Sequence, residues 1–266
     1  MMDSNPKTKK SLGQHWLHDE ASLDAMLDAA EVSPSDIVLE IGPGPGTLTA
    51  KLVKQAAQVI AVEFDPDLAR DLPKRVPADN LQVVQQDILK FDLTPLPAGY
   101  KVVANIPYYL TSNLLRVLCE SPSPFSTAAL LIQKEVAERV CAKPGDMSLL
   151  SVSVQFYCEA ALGTLVPAGL FTPPPKVDSQ IVRLIRHPEP LFPDVDTRLF
   201  FRIVKAGFSQ RRKTILNSLS AGLQLGREET MALLEAADLN PGTRAQNLSL
   251  NDWYALYDAY SSRTQA

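Results

Sequence analysis

Five short apolar runs rich in Val, Ile and Leu, residues 37–41, 59–62, 81–84, 102–104 and 128–132, punctuate the first half of the chain. Each is too short for a buried helix and is bounded by Gly, Pro, Asp or polar breaks, which predicts a strand. The stretches between them space their apolar residues at helical intervals over 48–56, from Pro66, over 112–119 and from Lys134. Alternation of this kind predicts a mostly parallel sheet with helices on both faces. Two further runs, 152–156 and 181–185, read as later strands, the second behind Pro173-Pro174-Pro175. A Pro-rich stretch over 187–193 reads as a linker, and from Asp196 to Tyr260 the spacing is helical. The expected organisation is an α/β domain over 1–187 and a small all-helical domain over 188–266, without internal repeats.

Composition narrows the class. The 266 residues, 45% hydrophobic and 21% charged, supply a sizeable core. No uncharged run approaches bilayer length, and residues 1–10 are polar and basic, so neither a signal peptide nor a membrane anchor is expected. Cys119, Cys141 and Cys158 are an odd set without Cys-x-x-Cys spacing, which points to reduced thiols in a cytoplasm. Of the three histidines only His15 and His18 lie close together, and nothing completes a ligand set, so no metal is expected. A net charge of -4 speaks against a nucleic-acid partner by its sum but not by its distribution. Lys7, Lys9 and Lys10 form a basic tip. Arg198, Arg202, Lys205, Arg211, Arg212 and Lys213 fall in an interval with no acid between Asp196 and Glu228.

The chemistry concentrates at the ends of the predicted strands. Glu40-Ile41-Gly42-Pro43-Gly44-Pro45-Gly46 leaves the first strand and opens a helix, with glycines that admit a tight turn and a closely approaching ligand. Its Gly-x-Gly-x-Gly spacing departs from the dinucleotide fingerprint. Glu63 ends the second strand, where a carboxylate can accept both ribose hydroxyls. Asp87 ends the third, where one can accept an adenine amino group. Singly, each acid suits a helix cap or a solvated turn; in this order they suit a nucleoside. Asn105-Ile106-Pro107-Tyr108 ends the fourth strand. It combines an amide acceptor, an extended residue before proline and a flat ring, the parts needed to hold a planar amino group.

This ordered set resembles the S-adenosylmethionine-dependent methyltransferases, and Asn105-Ile-Pro-Tyr108 resembles their amino-methylating branch. Ser11-Leu-Gly-Gln14-His15-Trp-Leu17, Val62-Glu63-Phe64-Asp65 and Gln86-Asp87-Ile88 are similar to one family, the small-subunit ribosomal RNA adenine N6,N6-dimethyltransferases. So are Phe171-Thr-Pro-Pro-Pro-Lys-Val-Asp-Ser179, Phe208-Ser-Gln-Arg-Arg-Lys-Thr214 and Arg244-Ala-Gln-Asn-Leu-Ser249, and together these motifs run through nearly the whole chain. The resemblance implies a Rossmann-like methyltransferase sheet with a helical RNA-binding domain, an N-terminal segment (1–20) closing over the site, and S-adenosylmethionine as cofactor. It implies His15 and Leu17 against the cofactor, Gly42 under its methionine part, Glu63 on the ribose, Asp87 at the adenine and Asn105 between cofactor and target base. Pro107 shapes the catalytic turn, while Tyr108 and Phe171 would sandwich an extruded adenine. Lys7, Lys9, Lys10, Arg202, Lys205, Arg211, Arg212 and Lys213 would hold RNA phosphates.

The chain departs from the family pattern at His15, usually Asn, and more mildly at Trp16, Phe64 and Tyr109. The implied activity is dimethylation, at N6, of two adjacent adenines near the 3′ end of small-subunit rRNA, by a cytoplasmic monomer during ribosome biogenesis. The competing expectations are a large-subunit adenine methyltransferase and a non-catalytic assembly factor on the same fold. A NAD-linked dehydrogenase fits poorly, since the glycine spacing is wrong and the Asn105 turn has no task there.

Overall fold

The computed structural model describes residues 13–265. Contacts divide the chain into two compact units. One contains the chain through Glu138 together with Cys158–Arg186, and the other contains Arg139–Tyr157 together with the chain from His187.

The first unit is built on a seven-stranded sheet. Its strands are β2 (Ile37–Ile41), β3 (Gln58–Glu63), β4 (Leu81–Gln85), β5 (Lys101–Asn105), β6 (Thr127–Gln133), β7 (Cys158–Val166) and β9 (Ser179–Arg186), in the order β4-β3-β2-β5-β6-β9-β7. The first five are mutually parallel, whereas β9 runs antiparallel to both β6 and β7. Both faces of β5 are covered: Val102, Val103 and Ala104 have no exposed surface, so alternate side chains feed opposite cores. One core joins Val38, Val59, Val103, Ala129 and Ile181 to Leu23, Met26 and Leu27 of helix α1 (Glu20–Ala30). Helices α2 (Thr49–Gln55), α3 (Pro66–Arg75) and α4 (Thr111–Glu120) follow β2, β3 and β5. Asp19 and Asp65 cap α1 and α3 by accepting from the Ser22 and Asp67 amides. A separate two-stranded ribbon pairs β1 (Trp16–Leu17) with β8 (Phe171–Thr172), setting Leu17 opposite Phe171.

Beyond α5 (Lys134–Val140), the second unit is helical: α6 (Leu149–Gln155), α7 (Thr197–Phe208), α8 (Ile215–Leu223), α9 (Arg227–Ala236) and α10 (Leu250–Gln265). Its core joins Val152 and Phe156 to Phe200, Ile203, Leu219, Leu233 and the fully buried Trp253.

Two sequence expectations are corrected here. Residues 152–156 are not a strand: the alternation of Val152, Val154 and Phe156 lies largely within helix α6. Ser148 starts that helix with a reciprocal capping box, its hydroxyl accepting from the Ser151 amide and its own amide donating to the Ser151 hydroxyl. The strand comes next, over Cys158–Val166, where an Ala- and Gly-containing, mostly exposed edge gives little apolar signal. Residues 139–157, expected within the first domain, pack instead with the second, because Met147, Val152 and Phe156 belong to its core.

Candidate active site

From β2 the chain steps outward to β3 and β4 and then crosses back to lay β5 on the other side of β2, so the strand order reverses between β2 and β5. Ligands of open α/β sheets bind outside the carboxyl ends at such a reversal. A cavity of about 400 Å³ lies there, lined by Glu40, Gly42, Glu63, Asp87, Asn105 and Tyr108 among others, within the range of small-molecule sites.

The glycine turn forms its floor. Gly42 has φ +66°, and a Cβ at this position would meet no protein atom within 4 Å. Since Gly42 lines the cavity, a side chain here would take up ligand space. Gly44, at φ +58°, is closed off differently: a Cβ would lie 2.6 Å from Cζ3 of Trp16. The indole therefore rests on the bare backbone of the turn.

Glu63 is 5% exposed and braces this turn, one oxygen accepting from the Gly44 amide at 3.1 Å and the other from the Asp65 amide at 2.8 Å. Burial raises its carboxyl above the ordinary range, the Asp65 and Gly44 amides oppose this, and the Asp65 carboxylate adds to it. The carboxylate keeps further acceptor capacity for a ligand hydroxyl. Asp87 caps the 3-10 turn Ile88–Lys90 by accepting from the Leu89 amide at 3.0 Å. It thus performs the ordinary capping task and also lines the cavity.

Asn105 ends β5 with its amide nitrogen donating to the His15 carbonyl at 3.3 Å, which leaves its Oδ1 as the acceptor offered to a ligand. The Ile106 amide donates to the Leu131 carbonyl and fixes the peptide ahead of Pro107. Pro107 closes the 3-10 turn Tyr108–Leu110 by accepting from the Leu110 amide at 2.9 Å. Tyr108 shares a hydrogen bond with the Ser179 hydroxyl at 2.9 Å, and burial raises its phenol.

The segment 13–17 crosses this site. His15 lies parallel to Tyr108, with ring centroids 6.1 Å apart, and its Nδ1 donates to the Pro173 carbonyl at 2.7 Å. The imidazole therefore faces the Tyr108 side of the cavity, while the residue's backbone carbonyl engages Asn105. Leu17 and Phe171 line the cavity too, but at 2% and 4% exposure they also belong to the core, facing each other across the β1–β8 ribbon. Phe171 thus occupies the place of a core aromatic and offers little free ring in this conformation.

Glu40 went unassigned in the sequence. It is 1% exposed, lines the cavity, and among the described residues neither of its oxygens forms a well-made hydrogen bond, the donor beside it being the Thr49 hydroxyl, itself otherwise unbonded. Burial pushes its carboxyl up to about 8, the adjacent Thr49 hydroxyl pulls the other way, and the Glu63 carboxylate adds to the rise. Buried carboxylates are seldom left unpaired. The available signal was its place before the glycine turn, but only the fold shows it buried and unpaired.

In the second unit, Arg202 and Lys205 lie on α7, and Arg211, Arg212 and Lys213 lie between α7 and α8; all five are exposed and make no ion pair among the described residues. Lys7, Lys9 and Lys10 lie outside the described residues. Among the described residues no group of His, Cys, Asp and Glu could hold a metal ion, and no helix is long and apolar enough to cross a membrane.

Six strands of one direction, one reversed strand between two of them and a ligand cavity at the switch point make up the Rossmann-like architecture of S-adenosylmethionine-dependent methyltransferases. The chain is similar over 94% of its length to a crystal structure of a dimethyladenosine transferase from Plasmodium falciparum, at TM-score 0.81 and 31% identity over 98% of that chain. It is similar over 92% to the 23S rRNA methyltransferase ErmE, at TM-score 0.76 and 31% identity over 99% of that chain. The family model for ribosomal RNA adenine dimethylase matches residues 5–262. Two curated relatives are each named ribosomal RNA small subunit methyltransferase A. The one from Dehalococcoides mccartyi is 41% identical, with 96% of this chain and 89% of the relative covered. The one from Streptococcus uberis is also 41% identical, with 94% and 91% covered. The chain belongs to the ribosomal RNA adenine dimethylase family.

Proposed function

We propose that the protein transfers methyl groups from S-adenosylmethionine to N6 of two adjacent adenines near the 3′ end of small-subunit rRNA, giving N6,N6-dimethyladenosines during ribosome biogenesis. The observation that carries this reading is the Asn105 turn, whose amide is oriented by His15 at the mouth of a nucleoside-sized cavity. The small-subunit target is favoured over the large-subunit one by the names of curated relatives at 40–41% identity. A monomer acting in the cytoplasm completes the reading.

The residues present fit the cofactor. Gly42 leaves open space where a Cβ would stand, Glu63 and Asp87 suit the ribose hydroxyls and the adenine amine, and the unpaired Glu40 carboxyl suits the ammonium of the methionine part. When bound, S-adenosylmethionine supplies a sulfonium methyl whose thioether leaving group needs no acid. An adenine amine is a poor nucleophile because its lone pair is delocalised into the ring. Acceptance of its hydrogens by Asn105 Oδ1 and the Ile106 carbonyl would orient it and favour the pyramidal, attacking form. Tyr108 would hold the extruded base by stacking. The alkylated amine is acidic enough to lose its proton to water, so the site needs no dedicated base. The exposed Arg202, Lys205, Arg211, Arg212 and Lys213 would bind phosphates, as would Lys7, Lys9 and Lys10. The test is Asn105→Ala in a radiolabelled methyl-transfer assay on undermethylated small subunits. Turnover is expected to fall by about 100-fold or more with subunit binding retained, and unchanged turnover would refute the assignment.

A further inference from the structure

Tyr108 and Tyr109 are adjacent in one 3-10 turn at the end of β5, yet they diverge. Tyr108 reaches Ser179 at the start of β9. Tyr109 lines the cavity together with Asp87 and Glu63, whose carboxylates add to the rise that burial gives its phenol. Those acids follow β4 and end β3, across β2 from the Tyr108 side in the strand order. The ring also approaches the N-terminal segment, since a Cβ at Gly13 would lie 3.7 and 3.8 Å from its Cδ1 and Cε1.

Despite these neighbours Tyr109 is 61% exposed, and it still lines the cavity. An exposed aromatic at the edge of a concave, largely apolar site marks a surface awaiting a flat or apolar ligand. The base side is already served by Tyr108, and the two acids that share the cavity with Tyr109 and act on its phenol are those suited to a nucleoside.

We propose that Tyr109 is the cofactor-side counterpart of Tyr108, its ring covering the nucleoside held between Glu63 and Asp87 and closing the cavity mouth against Gly13. This rests on the reading of the cavity as an S-adenosylmethionine site. Cofactor affinity then depends on the Tyr109 ring, with little dependence on its hydroxyl, while RNA affinity depends on neither. The exposure of the side chain means that its replacement leaves the fold intact.

The experiment titrates wild type, Tyr109→Ala and Tyr109→Phe with S-adenosylhomocysteine by calorimetry, and separately with undermethylated small ribosomal subunits. Tyr109→Ala is expected to weaken S-adenosylhomocysteine binding roughly tenfold, in line with loss of one aromatic stack. Tyr109→Phe is expected to stay within about twofold of wild type on the same ground, and subunit binding should not change in either variant. Wild-type affinity in Tyr109→Ala overturns the proposal. So does weaker subunit binding with unchanged S-adenosylhomocysteine binding, which would put the ring on RNA. A wild type that binds no S-adenosylhomocysteine overturns the cavity reading together with the proposal.

Discussion

Replacing Glu40 with Gln separates what this carboxyl costs the fold from what it does for the ligand. The side chain is 1% exposed, neither of its oxygens forms a well-made hydrogen bond among the described residues, and its carboxyl is pushed from 4.5 up to about 8. The folded chain thus holds this proton more tightly than the unfolded chain does. The resulting stabilisation is fully present below about pH 4.5 and is lost as pH rises to about 8. That span corresponds to about 5 kcal/mol, an upper bound for a site that can relax or admit water, and about 3 kcal/mol is already lost by pH 7. Gln is nearly isosteric and cannot ionise. Without ligand, the variant should match wild type near pH 5 and exceed its melting temperature at pH 8.5, by up to about 10 °C. Thermal melts of both proteins across this range measure the gap. Cofactor affinity should move the other way, because the ligand's ammonium would lose its carboxylate. Wild-type binding near pH 7 should also release a proton, seen as a buffer-dependent calorimetric enthalpy absent from the variant. Parallel stability curves would refute the burial argument, and unchanged affinity would refute the ligand role.

Two other perturbations address separate parts of the molecule. Changing Arg211, Arg212 and Lys213 together to Ala should weaken rRNA binding and flatten its salt dependence by about two to three units of log–log slope, measured by filter binding over a salt series. An unchanged slope would make them merely a solvated face. Gly44→Ala should cost about 1–3 kcal/mol of stability in denaturant titration, from a positive φ and a Cβ 2.6 Å from Trp16. Trp16→Leu in the same background should recover the part due to the clash.

Much of the first unit was legible because β2, β3, β5 and β6 are buried on both faces and therefore read as short, nearly continuous apolar runs. The residues at their ends could be ordered into a site from chain position alone, since parallel strands put all their carboxyl ends on one edge. What stayed hidden depends on partners distant in sequence. Val152 and Val154 alternate like a strand, but Ser148 caps them into a helix that belongs to the other core. Edge strand β7 carries its side chains mostly in solvent, so nothing in its composition announces it. The unpaired state of Glu40, the turning of the His15 ring towards Tyr108 and the divergence of Tyr108 from Tyr109 are properties of contacts and leave no mark on spacing.

The reversal of β9 has a consequence for how the site is walled. Strands pointing this way furnish the edge with the loops by which the chain departs, and those after β2, β3, β5 and β6 lead into helices. A strand running the other way arrives at the same edge, so the segment 171–178 is free of that duty when it brings Phe171, Pro173 and then Ser179 within reach of Leu17, His15 and Tyr108. One strand of opposite sense thus gives the edge a second kind of loop. That loop is anchored at Phe171 in the core beside α1, and its length beyond that point is set by no helix.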